Sequence, residues 1–198
     1  MMSLKLQERP RTMYPSKLQP DATEGWTIDG NNIEIPVIHK VFKKWNKEPI
    51  QNTFGGKPLV DYKGIPVFAE LAIQRLAKDS GWDARWIETY QMKINQPYFF
   101  DDWTDASISK QATLPINNEA VTRQLQMLST KNNNSYYGCW DVLAWKGNRI
   151  IYIESKRSKK DKIRDTQTGW FKAGLASGLK PENFLIVQWG FSLDELVW

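Results

Sequence analysis

The stretch WDVLAWKGNRIIYIESK (residues 140–156) decides the architecture of this chain. Two runs rich in β-branched and aromatic residues, Tyr136 to Trp145 and Arg149 to Lys156, flank Gly147-Asn148, a dipeptide suited to a two-residue hairpin loop. Such a loop sets the register: Lys146 pairs with Arg149, Trp145 with Ile150, Leu143 with Tyr152, and Asp141 with Glu154. Residues directly opposite share a face, with Cβ atoms ~4.5–5.5 Å apart, so two carboxylates are brought together. Lys156, two residues beyond Glu154, points to that same face.

Opposed like charges in an apolar hairpin cost stability unless a cation or a raised pKa compensates. A hard divalent ion fits, because Mg²⁺ takes one or two carboxylates plus waters and substrate phosphate. Such an ion acidifies an attacking water and polarises a phosphoryl oxygen, and Lys156 would orient that water or stabilise charge on the phosphate. The pattern therefore favours phosphodiester hydrolysis over redox or acyl-transfer chemistry. The plain alternative is a surface ion pair, since Glu-x-Lys arises by chance in a chain with 25% charged residues. Asp61-Tyr62-Lys63 has the same tripeptide pattern, but Gly64 and Pro66 argue against a strand there.

Outward from the hairpin, the order of elements is informative. Upstream, Pro66 suits a helix start and Gly81 a stop, with Val67, Leu71, Ile73, Leu76 and Ala77 as apolar positions between them. Arg85 to Lys93 reads as a strand. A polar, aromatic-containing insertion spans about 95–135, with a helix across Glu119 to Ser129 and a loop from Lys131 to Ser135. Downstream, a helix runs from Asp165, a good N-cap, to Gly178. Phe184 to Trp189 is nearly all apolar, as a strand covered on both faces should be. The resulting α-β-β-β-α-β order predicts an α/β domain, a mixed sheet flanked by helices, over residues 57–198.

Residues 1–56 read as an N-terminal extension. Pro10, Pro15 and Pro20 suggest an extended arm to about residue 25, and Trp26 to Ile35 a hairpin turning at Asp29-Gly30. Lys40, Lys43, Lys44 and Lys47, spaced i, i+3, i+4, i+7, predict a basic amphipathic helix with Ile38, Val41, Phe42 and Trp45 on its other side. Its lysines are either a solvated face or a phosphate-contacting stripe.

At 198 residues, with 41% hydrophobic residues and ten tryptophans, the chain suits one globular domain with extensions. A formal charge of +5 favours an anionic partner. His39 and Cys139 are the sole residues of their types, which excludes a protein-only Cys/His zinc site and an internal disulfide. A Ser-His-Asp triad would have to use His39, which has no partner motif beside it. The lack of a run of ~18 apolar residues argues against a membrane partner, and the expected location is cytoplasmic.

Three segments together, Trp140 to Trp145, Ile151 to Lys156 and Asp161 to Trp170, resemble the VRR-NUC branch of the PD-(D/E)XK nucleases. That branch shows Pro-Asp, then Glu-Val-Lys, then Asp-x-Leu-Ser-x-x-Gln-x-x-Trp; here Asp161, Gln167 and Trp170 fall at its spacing. The resemblance covers about 136–189 well and 65–93 more loosely. It implies a restriction-endonuclease-like core in which Asp141, Glu154 and the Ser155 carbonyl hold Mg²⁺ or Mn²⁺, Lys156 assists catalysis, and Gln167 faces the site. Glu70 is the positional match to a first-helix glutamate that often joins the metal, or else a plain helix-surface acid. Trp170 reads as core packing. The sequence departs from the pattern at Cys139-Trp140 for Gly-Pro, at Arg157 for glycine and at Arg164 for serine.

Arg157, Lys159, Lys160, Lys162 and Arg164 follow the proposed site, as a solvated loop or as contacts to the phosphate backbone. The expectation is a metal-dependent DNA endonuclease, acting on branched or flap structures in repair, recombination or phage DNA processing, and pairing as a homodimer. Its rivals are a nuclease-fold binding module without turnover and an assembly protein whose charged hairpin meets a partner chain.

Overall fold

The hairpin forms in the register its loop dictates: Val142 pairs with Ile153, Leu143 with Tyr152, Trp145 with Ile150 and Lys146 with Arg149. Gly147 turns it with a φ of +59°, the conformation that a glycine at the first loop position adopts without penalty. The structure, a computed structural model, describes residues 13–93 and 96–196. In chain order its elements are β1 (Ala22–Ile28), β2 (Asn31–Val41), β3 (Val60–Tyr62), β4 (Ile65–Val67), α1 (Ala69–Asp79), β5 (Asp83–Lys93), β6 (Gln96–Phe100), α2 (Glu119–Lys131), β7 (Val142–Lys146), β8 (Arg149–Arg157), α3 (Asp165–Ala176), β9 (Phe184–Gly190) and α4 (Leu193–Leu196).

A seven-stranded mixed sheet, ordered β1-β2-β9-β8-β7-β5-β6, carries the molecule. β9 lies parallel to both β8 and β2, and the other neighbours are antiparallel. The period-2 alternation of β8 divides the core: Ile151 and Ile153 join the α1 side with Leu71, Ile73 and Trp86, whereas Ile150 and Tyr152 join the α2–α3 side with Leu125, Trp170 and Phe171. Every residue of β9 is buried, as an apolar strand covered by helices on both faces requires. Each large apolar side chain so buried contributes ~1.5–3 kcal/mol relative to exposure. No helix among the described residues is long and apolar enough to cross a membrane.

Several expectations are corrected. The basic helix over Lys40 to Lys47 does not form. β2 continues through Val41, with Val37 to Val41 paired on β9, because the β-branched residues Ile33, Ile35, Val37 and Ile38 satisfy the sheet and the lysine spacing is incidental. The hairpin at Asp29-Gly30 is present but longer, Ala22 pairing with Val37, so the segment before residue 57 builds the same sheet as the rest. Leu18, within the expected arm, is fully buried in the α1-side core; Pro10 lies outside the described residues.

Pro66 does not start a helix. It sits in β4 opposite Asp61, where a two-stranded hairpin leaves room for a residue without an N–H. The helix begins at Ala69 after Phe68. Asp61 and Tyr62 do form a strand, because Lys63-Gly64, with φ of +55° and +83°, is itself the two-residue turn. Asp165 lies in the first turn of α3 and Arg164 holds the cap position. Within the insertion α2 forms as expected, and β6 adds an unforeseen edge strand on β5.

Candidate functional site

Asp141 and Glu154 meet at the end of the hairpin where α3 begins. The ladder ends at Val142–Ile153, one step short of the two acids, and the Asp141 side chain continues it, its Oδ2 accepting from the Ser155 N–H at 2.9 Å. Its own carbonyl accepts from the Ile87 N–H at 2.7 Å, tying the same point to β5. Trp140 and Leu143, three residues apart, share the α2–α3 core. Strict alternation is therefore broken by a bend at Asp141. Just upstream, Gly138 adopts a φ of +82° and packs so closely on the Thr166 backbone that a Cβ has no room, which holds this chain segment against the first turn of α3.

Gln167, in that first turn, donates from Nε2 to Glu154 Oε1 at 2.5 Å, while its Oε1 accepts from the Arg164 N–H at 2.9 Å. One side chain thus caps α3 and orients Glu154. Glu154 is buried, and its Oε2 finds no hydrogen-bond partner among the described residues. Burial, and then repulsion from Asp141, hold its carboxyl well above the usual range against the opposing Gln167 bond. Asp141 is pushed up to about 7, first by burial and then by Glu70, with Lys57 and the Ser155 N–H opposing. Two adjacent carboxyls with little access to water favour the protonated form over ionising together.

Glu70, in the first turn of α1, faces this cluster and its Oε1 lies 2.6 Å from Lys57 Nζ. Neither Lys57 nor Glu88 of β5 stood out in the sequence. Glu88 is raised by burial, with Glu70 adding to the effect and the Tyr90 N–H and Lys57 opposing it. Burial pulls Lys57 down, but Glu70 and Asp141 outweigh it and leave the ammonium raised. Its one sequence signal was the preceding Gly55-Gly56. Phe54, Gly55 and Gly56 all have positive φ, at 46°, 78° and 83°, and the Lys57 N–H closes the turn on the Thr53 carbonyl at 2.9 Å. The insertion pins this loop: the Asn52 N–H donates to Asp105 Oδ1 at 2.9 Å and Trp103 Nε1 donates to the Asn52 carbonyl at 2.9 Å.

Lys156, two residues beyond Glu154 on β8, turns its ammonium to a different acid. Its Nζ is 3.4 Å from Glu24 Oε2 on β1, on the opposite side of β8 from β7. Of the basic residues that follow, Arg157 stacks on Trp189 and Phe191 at 5.6 and 5.0 Å, and Lys159 Nζ donates to the Asp194 carbonyl at 2.8 Å. Lys160, Lys162 and Arg164 are exposed, and Arg164 favours the ionised form of Glu154. Lys43 pairs with Asp61 at 2.7 Å, Lys44 and Lys47 are exposed, and burial lowers Lys40 against the pull of Asp21. These four belong to the β2 region and do not gather at the acidic cluster. Trp170 is fully buried.

Among the described residues no three His, Cys, Asp or Glu side chains converge closely enough to hold a metal by themselves. The local reason is that Glu70 is drawn to Lys57 and Asp141 to the Ser155 backbone. The donors that remain, an unpartnered Glu154 oxygen and the Asp141 carboxylate, are hard oxygens, and they fit Mg²⁺ or Mn²⁺ completing its shell with a backbone carbonyl and waters. No family model, curated protein or solved structure matches the chain, so the chemistry of the site rests on these residues alone.

Proposed function

We propose that this protein is a Mg²⁺- or Mn²⁺-dependent deoxyribonuclease with a PD-(D/E)XK core formed by α1, β5, β7, β8, α3 and β9. The observation that carries the reading is the Asp141–Glu154 pair, Glu154 buried and Asp141 half-buried, whose carboxyls are held above their ordinary range by loss of water and by neighbouring acids. Burying like charges together is costly unless a cation binds them. The exposed Lys160, Lys162 and Arg164, in the segment between β8 and α3, with Arg164 acting on Glu154, suit a polyanion.

Asp141, Glu154 and the Ser155 carbonyl would hold the ion, which would acidify the attacking water and polarise the phosphoryl oxygen. Gln167 holds Glu154 Oε1 and leaves Oε2 unpartnered, the oxygen that would bind the ion. In hydrolysis the water oxygen forms a bond to phosphorus as the bond from phosphorus to the leaving deoxyribose oxygen breaks. The water gives up its proton to solvent and the leaving oxygen takes one up. Lys160, Lys162 and Arg164 would grip flanking phosphates without reading bases. Branched or flap DNA is the proposed substrate, in repair, recombination or phage DNA processing.

Labelled duplex, single-stranded and branched DNA incubated with Mg²⁺ or Mn²⁺ should be cut, and EDTA or Asp141→Asn should stop the cutting. Folded protein that binds DNA equally with and without metal, and cuts none of these substrates, would instead be a binding module without turnover.

A further inference from the structure

Two lysines approach the acidic end of the sheet, and they are placed differently. Lys156 leans toward β1, where Glu24 already neutralises it at 3.4 Å. Lys57 reaches in from the opposite side, 2.6 Å from Glu70, with Asp141 and Glu88 as the further charges that act on it. Its ammonium lies over the rings of Phe54 and Trp86 at 5.0 and 5.1 Å, a surface that favours a cation without bonding it to one place.

We propose that Lys57 is the lysine of this site, the counter-ion of Glu70, Asp141 and Glu88 in the metal-free protein, displaced onto the substrate phosphate when a divalent ion enters. The inference rests on the nuclease reading above. An ammonium beside the metal carboxylates takes up the charge that a divalent ion needs, and two cations at one acidic cluster repel. Lys57 must therefore give way, and the negative charge that arrives with the reaction is the phosphate. The loop permits this. Its backbone is pinned through Asn52, so the four-carbon side chain swings from a fixed base. Beside it Gly55 and Gly56 have open space, with nothing within 4 Å of an added Cβ, where a DNA strand can approach. On the phosphate, Lys57 would stabilise the charge that develops as the water–phosphorus bond forms.

The test separates this inference from the reading beneath it. Mn²⁺ binding is followed at pH 8 by electron paramagnetic resonance and calorimetry, without DNA, for wild type and for Lys57→Met, Lys57→Arg and Lys156→Met. Removing the competing charge should tighten Mn²⁺ binding by about fivefold or more in Lys57→Met, and leave it near wild type in Lys57→Arg and Lys156→Met. With DNA, Lys57→Met should lose about a hundredfold in kcat while Lys156→Met stays within about threefold. A purely structural ion pair would lower thermal stability and leave Mn²⁺ affinity alone, and that result overturns the proposal. So does a wild type that cuts DNA alongside a Lys57→Met that cuts equally well, which leaves the nuclease reading standing. If wild type binds Mn²⁺ but cuts nothing, the nuclease reading falls and the Mn²⁺ titration alone decides the counter-ion role. Failure of wild type to bind Mn²⁺ overturns both. Should Lys57→Met not fold, Lys57→Gln carries the same titration.

Discussion

The two ends of α1 hold the same chemical groups in opposite balance. At its C-terminal end Asp79 Oδ2 accepts from Lys17 and Lys63 at 2.7 and 2.6 Å and from the Tyr62 hydroxyl at 2.8 Å, and these bonds hold its carboxyl well below the usual range. Cations outnumber the acid there, so an aspartate persists at a helix end whose dipole disfavours it. At the N-terminal end Lys57 serves Glu70 while Asp141, Glu88 and Glu154 stand close by. Acids outnumber the cation, burial removes water, and Asp141 rises to about 7. A lysine beside a carboxylate therefore decides nothing by itself; the local count of charges and their access to water do. One end of α1 is neutralised by the protein, and the other is left short of positive charge.

The largest expected break of this contrast is Asp141→Asn. It should lower DNA cleavage to below roughly 1% of wild type, as loss of a group that organises transition-state charge does. It should at the same time raise the thermal stability of the metal-free protein at pH 8, because a poorly tolerated charge is gone. Asp79→Asn should instead lower the thermal stability and leave cleavage as it is, because Asp79 is stabilised by its own cations.

The same opposition appears against pH. Asp141 has a folded pKa of about 7, above the ordinary value of about 3.9 for an unfolded aspartate, so the folded state binds the extra proton. Stability of the protein in EDTA should then fall as pH rises from about 4 to about 7, Glu154 acting in the same sense. Asp79 is depressed, so its contribution is present above its unfolded pKa and lost as pH falls through its folded value. Thermal denaturation across pH should show both limbs, with Asp141→Asn flattening the neutral one. Saturating Mn²⁺, which binds the ionised carboxylates, should offset it. A neutral limb that Asp141→Asn leaves unchanged would contradict the electrostatic account.

Gln167→Ala should weaken Mn²⁺ affinity by about 10–100-fold, because it frees Glu154 from its orienting bond. Asp79→Asn should cost about 1 kcal/mol, the scale of partly exposed ion pairs, with cleavage unchanged. The smallest effect belongs to Lys160→Ala and Lys162→Ala, each of which should weaken DNA binding uniformly and reduce the salt slope by about one.

Local chemistry explains why the hairpin, α3 and β9 were legible. Gly147 selects a two-residue turn, and from it the pairing down to Val142–Ile153 follows. Gln167, three residues after Arg164, both caps the helix and faces Glu154. The lysine stripe from Lys40 to Lys47 misled because helical spacing by chance and strand spacing by burial cannot be separated in so short a run. What settled it was the parallel pairing with β9, a partner remote in the chain.

Residues 140–156 carry in themselves the turn, the register and the approach of two acids, because each depends on neighbours within one hairpin. The direction of Lys156 and the arrival of Lys57 and Glu88 depended on tertiary structure. Glu24 captures Lys156 only because β2 brings β1 into the sheet beside β9, and Lys57 reaches Glu70 from a loop held by Trp103 and Asp105 of the insertion. Those placements are set by packing between segments far apart in the chain, where long side chains follow whichever charge the fold brings within reach.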